Sequence, residues 1–371
     1  MPAFLETIEH CTFKNCSSLE SAILPDGVTT IEYDAFLNCT SLTNIELPET
    51  VTTIGDNAFM NTKIKSITLP ASLKEIGKGI FEGSSELTEL NLPKDFGVLN
   101  LNDTIVSEQE NLDNIFKINL GEGTTEIESL AFNNCNNLVF IGLPKSLTKY
   151  GYGCFNDCNS LVTVKYAGDI ASWCYNEFKM DILLVINKFN TPMVVNPLYF
   201  AKRFYANNKL VNILNIPDSV TKINDYAFCR APISEVNISG SVKSIGTNAF
   251  SYCDMNKIIF QSGLEKLGSY AFTNCKKITS IVLPNTIKQI GDRCFSDCKN
   301  LESFAFNGEF TFKAFGLLYG CDKLKKVFVK SKETLKNICD DTTAEVFFYS
   351  ENKPNEQGKF WHFVDDVSTI W

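Results

Sequence analysis

Apolar residues return along this chain at a fixed period. A phenylalanine, usually preceded by alanine, recurs every 22 or 23 residues wherever neighbouring copies are adjacent. The two longer gaps, 81–132 and 155–228, equal roughly two and three periods with a few inserted residues. A period of this length predicts a repeat architecture, in which each unit buries its apolar face against the next. The recurring residue stands at Phe13, Phe36, Phe59, Phe81, Phe132, Phe155, Phe228, Phe250, Phe272 and Phe295.

Further apolar columns flank each phenylalanine. An aliphatic residue stands five positions before it in most copies, with Tyr150 as an exception, and another apolar residue stands three positions earlier still. After the phenylalanine comes the pattern L-x-x-I-x-L, often followed by proline, as in Leu42–Pro48. Because I-x-L has the period of two that one buried strand face requires, each copy predicts a short strand. Identical strands in successive coils must run parallel, so the sequence predicts a solenoid with one elongated core.

A glycine often follows the core aliphatic residue and predicts a second bend in the coil. Glu32 and Glu128 occupy the same position in other copies, and glutamate fits poorly where φ must be positive. We therefore interpret this position as a preference for a tight bend and not as an obligatory left-handed residue. The glycines are Gly55, Gly77, Gly151, Gly246, Gly268 and Gly291.

The combined pattern L-P-x-x-V-x-x-I-x-x-x-A-F-x-x-C-x-x-L-x-x-I resembles the BspA-like class of leucine-rich repeats, found in cell-surface proteins of bacteria and protists. The resemblance covers most of residues 5–330. It implies a β-rich α/β leucine-rich repeat solenoid, a right-handed curved superhelix with a parallel sheet on its concave face and short turns or helical turns elsewhere. It also implies a role in binding other proteins.

The columns predict one continuous solenoid over residues 1–330, with irregular coils at about 94–120 and 166–210. NPLYFAKRFY in the second irregular coil suggests the start of a short helix after Pro197. Residues 331–371 depart from the repeat and predict a capping segment, which opens with a short helix whose N-cap is Ser331. Aromatic residues suited to covering the last coil are Phe360, Trp361, Phe363 and Trp371.

Charge and composition narrow the function. The net charge of −9 makes a nucleic-acid-binding groove unlikely as the main role, so we expect no nucleic-acid partner. With only His10 and His362 in the chain, histidine-based catalysis and histidine metal sites are disfavoured. No apolar run approaches the ~18–20 residues of a bilayer-spanning helix, and no signal peptide is visible in residues 1–10. The common nucleotide-binding and hydrolase motifs are absent, so we expect no enzyme and no cofactor.

Cysteine often falls three residues after the recurring phenylalanine. Thr62, Ser84 and Ala231 take this place in other coils, so the position selects a small, buried side chain. We therefore predict free thiols that act as small apolar groups, and no metal site. The column comprises Cys16, Cys39, Cys135, Cys158, Cys253, Cys275 and Cys298.

The residue after the isoleucine of each strand predicts an outward row on the sheet. This row is mostly polar at first, but its last four members are apolar, and a contiguous apolar stripe is typical of an interaction site. We expect Lys257 and Lys326, in the adjacent outward row, to form a polar rim. The alternative is that the C-terminal cap or a neighbouring chain covers the stripe. Its members are Ile259, Val282, Ala305 and Phe328.

The sequence and the resemblance together predict a non-enzymatic protein-binding module, a cell-surface adhesion or host-interaction protein. Its expected partner is a protein, such as a host extracellular-matrix or cell-surface protein, and its expected location is the cell surface or the medium. The alternative is a structural scaffold inside the cell. The first coil has no coil before it, so self-association through that end is a further expectation.

Overall fold

The computed structural model describes residues 5–92, 98–99, 116–133, 135–179, 196–309, 314–338, 344–350, 358–364 and 367–370. Most of the irregular coil predicted at 94–120 lies outside the described residues, as do part of that at 166–210 and Trp371. The chain forms two compact units. Unit 1 comprises Met1–Gly168 and Phe178–Asn208, and unit 2 comprises Asp169–Glu177 and Lys209–Trp371. The continuous solenoid over 1–330, with a separate cap over 331–371, stays a prediction.

Unit 1 is built from pairs of short strands, one pair to a coil. Its strands are β1 (Thr7–Ile8), β2 (Ser21–Ile23), β3 (Thr30–Ile31), β4 (Asn44–Glu46), β5 (Thr53–Ile54), β6 (Ser66–Thr68), β7 (Glu75–Ile76), β8 (Glu89–Asn91), β9 (Val98–Leu99), β10 (Lys117–Asn119), β11 (Glu126–Ile127), β12 (Phe140–Leu143), β13 (Lys149–Tyr150), β14 (Thr163–Tyr166), β15 (Glu177–Phe178) and β16 (Arg203–Ala206). The short helix predicted after Pro197 is present as a 3-10 helix over Pro197–Tyr199. Its cap is Asn196, whose Oδ1 accepts a hydrogen bond from Leu198 N at 2.9 Å.

The strands of unit 1 form two parallel stacks. Odd-numbered strands align in the orders β1-β3-β5-β7 and β15-β13-β11-β9, and even-numbered strands in the orders β2-β4 and β16-β14-β12-β10-β8-β6. Ile8 pairs with Ile31, Ile31 with Ile54, and Ile54 with Ile76, one full repeat apart each time. The predicted parallel solenoid is therefore confirmed in this unit, with the aliphatic column in register.

Unit 2 repeats the same construction and ends in a different one. Its elements are α1 (Ile170–Cys174), β17 (Lys209–Leu210), β18 (Ile213–Asn215), β19 (Lys222–Ile223), β20 (Glu235–Ile238), β21 (Ser244–Ile245), β22 (Lys257–Phe260), β23 (Lys266–Leu267), β24 (Ser280–Leu283), β25 (Gln289–Ile290), β26 (Ser303–Phe306), β27 (Lys326–Val329), α2 (Lys332–Ile338), β28 (Glu345–Tyr349), β29 (Phe360–Val364) and β30 (Val367–Ile370). The helix predicted after Ser331 is confirmed as α2, and Ser331 Oγ accepts from Thr334 N at 3.1 Å.

The sheets of unit 2 run in the orders β19-β21-β23-β25, β18-β20-β22 and β24-β26-β27-β28-β29-β30. Strands β24 to β29 pair in parallel, and β30 folds back antiparallel onto β29. Helix α1 carries the buried Trp173, whose Nε1 donates to Ala227 O at 2.6 Å. The C-terminal segment thus extends the solenoid sheet by two further parallel strands, and its last strand adds an antiparallel strand at the end of the sheet.

The phenylalanine column is a stack of rings. Neighbouring ring centroids lie 4.9–5.7 Å apart from Phe13 to Phe81, and 5.2–5.3 Å apart from Phe228 to Phe295. Most of these rings are fully buried, so each of these coils supplies one large apolar group to the core of its own unit.

The turns around the phenylalanines stack along one edge of the coils, which we call the turn edge. Their backbone hydrogen bonds run from coil to coil, along the stacking direction. Asp34 N, Phe36 N and Asn38 N donate to Asp56 O, Ala58 O and Met60 O of the next coil at 2.9–3.0 Å. Asp34 and Asn38, two residues before and two after Phe36, have φ of 57° and 61°. The N–H groups of every second residue in this turn therefore donate to the next coil.

The glycines of the second bend do not have a positive φ. This agrees with the interpretation of the position from the sequence. A Cβ added at Gly55 would collide with the backbone nitrogen of Tyr33 in the preceding coil. Close approach of two backbones, and not a positive φ, therefore accounts for glycine at this position.

Candidate functional site

In unit 2 the outward row of residues is divided between two sheets. Val282 pairs with Ala305 and Ala305 pairs with Phe328, on β24, β26 and β27. Ile259 lies on β22, in a different sheet, and pairs with Asn237 of β20. The four residues therefore occupy the expected strands, but a hydrogen-bonded ladder joins only three of them.

The C-terminal strands cover the far end of the row. Ala305 and Phe328 are 1% and 3% exposed, in one cluster with Phe347 of β28 and Trp361 of β29. The Phe328 ring stacks on Phe347 at 5.0 Å and meets Trp361 edge-on at 5.5 Å. The sequence left open the alternative that the C-terminal segment covers the row. This alternative holds for Ala305 and Phe328, because β28 and β29, which lie outside the repeat, continue the row with aromatic residues.

The exposed part of the row is centred on Ile259. Its side chain is 38% exposed, while Val282 is half-buried against the aromatic cluster. Lys257, two residues before Ile259, is exposed, and its Nζ lies 3.4 Å from Glu235 Oε1. Lys326 is also exposed and pairs in register with Glu345. The two lysines therefore lie on the surface, and their role as a rim stays a prediction.

Outside this region the residues of the row are either polar, or apolar with no apolar neighbour in the row. Asn237 Nδ2 donates to Asn215 Oδ1 at 2.7 Å, one step before Ile259. At the start of unit 1, Ile23 is 73% exposed on β2. Self-association through that first coil stays a prediction.

A second exposed feature lies on the turn edge of unit 2. The guanidinium of Arg230 lies 5.4 Å from the ring centroid of Tyr252, and that of Arg293 lies 5.3 Å from Tyr319. Tyr270 lies between these pairs and is exposed. These residues were not predicted from the sequence, although a signal is present for all but Tyr319. Arg230, Tyr252, Tyr270 and Arg293 stand two residues before or after the phenylalanine, where the described turns of unit 1 mostly have asparagine, aspartate or glycine.

The predicted thiol column is buried except at its first member. Cys39, Cys135, Cys158, Cys253, Cys275 and Cys298 are buried, Cys16 is exposed, and none of these seven forms a disulfide. Burial raises the pKa of the Cys39 thiol to about 11 and those of Cys253 and Cys275 well above their usual range. Such thiols are poor nucleophiles, because the thiolate is the reactive form.

Among the described residues, Glu9, His10 and Glu32 form a group whose spacing would suit a metal ion. Glu32 Oε2 lies 2.8 Å from His10 N and 3.2 Å from His10 Nδ1. The His10 ring also stacks on Tyr33 at 5.1 Å. These contacts explain the three side chains as a surface cluster.

Among the described residues, no helix is both long and apolar enough to cross a bilayer.

Solved structures resemble this chain along most of its length. A leucine-rich repeat protein from Bacteroides ovatus aligns with a TM-score of 0.50 and 22% identity, over 93% of this chain and 82% of that one. A leucine rich cell surface protein from Faecalibacterium prausnitzii aligns with a TM-score of 0.46 and 25% identity, over 92% and 90%. The pneumococcal vaccine antigen PcpA aligns with a TM-score of 0.46 and 21% identity, over 90% and 74%. No curated protein matches at a significant level.

The family is shown by the repeat itself. A family model of the BspA type leucine rich repeat region matches residues 6–116, 104–231 and 198–325. These residues carry the stacked phenylalanines and the parallel strands of both units. The chain therefore belongs to the BspA-type leucine-rich repeat family.

Proposed function

We propose that this chain is a non-enzymatic protein-binding module that acts at the cell surface, in adhesion or in contact with a host. Its partner would be a protein of the host extracellular matrix or of a host cell surface. Membership of a repeat family supports this, because stacked repeats present long, regular surfaces that suit extended partners. The expected surface or secreted location follows the same resemblance.

The observation that carries the proposal is the exposed apolar side chain of Ile259. Ile259 and the half-buried Val282 would form the centre of the contact, with Lys257 and Lys326 as its rim. Ala305 and Phe328 would border the contact on one side, since they continue the same row but are buried in the cluster with Phe347 and Trp361. An apolar centre with a charged rim is the usual anatomy of a protein interface.

The test is binding of the purified chain to immobilised fibronectin, laminin and collagen, followed by charge substitution at the centre. We expect Ile259→Asp to weaken binding about tenfold or more, since a buried charge in the contact would lack a partner. Its melting temperature should stay close to that of the parent, because the side chain is solvent-exposed already.

Ile23→Asp is the matched control, since Ile23 is an exposed isoleucine in the same row of unit 1. It should leave binding to the matrix proteins unchanged. Equal loss of binding in both variants, or no binding by the parent chain to any of the three proteins, would contradict the proposal.

A second candidate function is a structural scaffold inside the cell, and the free cysteines favour it. Disulfides form in oxidising compartments, and the cysteines of this core column form none among the described residues. Antibody labelling of intact and permeabilised cells that express the chain separates the two candidates. Labelling that requires permeabilisation would favour the scaffold.

A further inference from the structure

The residue just before each strand of the outward row forms a second row, which we call the entry row. In unit 1 its members are joined by backbone hydrogen bonds, as from Val139 N to Phe116 O and from Val162 N to Val139 O, both at 2.9 Å. Phe116, Val139 and Val162 are three consecutive apolar members. The entry row is polar in the other coils, where it comprises Glu20, Thr43, Lys65, Thr88, Lys202, Asn212, Ser234, Asn256, Thr279, Glu302 and Lys325.

The three apolar side chains of the entry row are not part of the core. Phe116 is 45% exposed, Val139 is 38% exposed, and Val162 is half-buried. The fold does not require apolar residues here, because Thr88 occupies the same position one coil earlier and donates from Oγ1 to Lys65 O at 3.0 Å. Adjacent exposed apolar groups are typical of an interaction site.

Phe140 enlarges this apolar area on the neighbouring strand positions. It is half-buried on β12, in register with Lys117 of β10 and Thr163 of β14. Lys117 Nζ lies 5.7 Å from the centroid of the Phe140 ring and 2.7 Å from Glu89 Oε1. The charge of Lys117 is therefore balanced by a carboxylate, and the area around Phe140 is apolar in character.

Three cations adjoin the apolar area on β14 and at the start of β16. Lys202 follows Val162 in the entry row, since its N donates to Val162 O at 2.8 Å. Arg203 pairs in register with Thr163, and Lys165 lies on the same strand as Thr163. All three cations are exposed, and none forms an ion pair with another described residue.

No carboxylate on these strands offsets the three cations, because β10, β12, β14 and β16 contain neither aspartate nor glutamate. Carboxylates of the connecting segments are bound to other groups. Glu122 accepts from Lys145 N at 3.1 Å, and Asp157 accepts from Asn156 Nδ2 at 2.8 Å. Asp169 accepts from a backbone N–H of α1 at 2.8 Å. The cations are thus a local positive group on a chain of net charge −9.

We propose that this surface docks a short acidic segment of a partner protein. Apolar side chains of the segment pack on the apolar coils, and its carboxylates pair with the cations, where Arg203 can bind one through two N–H groups. Complementary charge favours this occupant, while the net negative charge of the chain repels a nucleic acid or an anionic bilayer. We call the surface the apolar–cationic face, and it comprises Phe116, Val139, Phe140, Val162, Lys165, Lys202 and Arg203.

The dimensions of the apolar–cationic face fit a short extended segment. Phe116 and Lys202 are three coils apart, which is roughly 14 Å at ordinary strand spacing. About five residues of extended chain span that distance. A segment with apolar residues at one end and acidic residues at the other would therefore cover the whole face.

The test begins with selection of random twelve-residue peptides, displayed on phage, on the immobilised full chain. We expect selected peptides to carry an apolar run beside two or more acidic residues. A selected peptide labelled with fluorescein, followed by anisotropy, should bind at least about tenfold more weakly to Val139→Thr with Val162→Thr, and to Lys202→Gln with Arg203→Gln. Because threonine occupies the entry row in other coils, melting temperatures should stay within about 3 °C of the parent.

Ile23→Thr and Lys65→Gln are matched controls, since both residues are exposed in unit 1 outside the apolar–cationic face. They should leave peptide binding unchanged. Ile259→Asp should leave it unchanged too, because Ile259 lies in unit 2, so failure of this proposal is distinct from failure of the contact around Ile259.

The proposal is overturned if selection yields no acidic peptides, or if the variant of Lys202 and Arg203 binds them as tightly as the parent. Flotation of the chain with phosphatidylserine vesicles, without selection of acidic peptides, would overturn it in favour of a lipid surface. Dimerisation of the parent that the same variants abolish would overturn it in favour of a second copy of this chain.

Discussion

The thiols of the cysteine column lie against carbonyl groups of the preceding coil. Cys39, Cys253 and Cys275 donate from Sγ to the carbonyl oxygens of Phe13, Phe228 and Phe250 at 3.0–3.2 Å. In another coil Ser84 Oγ donates to Phe59 O at 2.9 Å. Cysteine and serine at this position therefore each add a hydrogen bond to a buried carbonyl, which explains why serine can replace cysteine there, while the buried Ala231 shows that small size is the common requirement.

Native thiol reactivity should follow burial. At pH 8 we expect a thiol reagent to modify Cys16 and the half-buried Cys11 quickly, and the column from Cys39 to Cys298 only after denaturation without reductant. Equally low counts before and after denaturation would mean disulfides and would contradict this.

The same thiols predict a loss of stability in alkali. Burial raises the pKa of Cys39 and of Cys229 from about 9 to about 11, so the unfolded chain loses these protons first. Their contribution to stability is complete below pH 9 and falls as the pH rises toward 11. Melting temperatures measured from pH 8 to pH 10.5, with Cys39→Ser and Cys229→Ser as a double-variant control, check the sign. The control should lose less stability than the parent.

At the scale of a structural element, the C-terminal strands β28 and β29 cover the outward row of residues on β26 and β27, which would otherwise be exposed. Trp361 is fully buried, packs edge-on against Phe328 and Tyr349, and donates from Nε1 to Val329 O at 3.2 Å. Trp361 thus holds β29 against the rest of the sheet by both packing and hydrogen bonding.

Substitution of Trp361 separates these two contributions. Trp361→Ala should lower the free energy of unfolding of this region by about 3–5 kcal/mol, because it opens a large cavity. Trp361→Phe keeps much of the packing and should lose about 1–2 kcal/mol, mainly for the unpaired Val329 carbonyl. Chemical denaturation measures both. Equal losses in the two variants would show that packing against Phe328 contributes little.

At the scale of a whole unit, stability passes from coil to coil through the phenylalanine stack. Phe272 lies between Phe250 and Phe295, at 5.2 and 5.3 Å, and Phe260 meets it edge-on at 5.6 Å. Each coil therefore depends on its neighbours on both sides, as in other repeat proteins.

Phe272→Ala should destabilise unit 2 by about 3–5 kcal/mol. Hydrogen exchange should then lose protection in the coils of Phe250 and Phe295 as well as in the substituted coil. Tyr270→Asn, on the surface of the same coil, is the control and should leave protection intact. Normal protection in the flanking coils of the Phe272 variant would refute the coupling.

The repeat made most of this fold predictable, because a column that recurs every coil fixes both strand position and register. Ile8, Ile31 and Ile54 pair as their spacing predicts. The cover over Phe328 is one of the alternatives that the sequence leaves open, and the sequence could not decide between them, since Phe347 and Trp361 stand outside the repeat and only their strand pairing brings them there. The left-handed positions beside the phenylalanines could not be predicted from the glycines, because the glycine bend is tight without having a positive φ.

The hydrogen bonds of the turn edge have a mechanical consequence. They point along the stacking direction, so a pull on the two ends of a unit loads them end-on, one coil after another, and not side by side in shear. A coil of 22 or 23 residues that detaches would lengthen the chain by roughly 70 Å. Under tension each unit would therefore lengthen in steps of one coil and dissipate work at every step, as an extensible tether does.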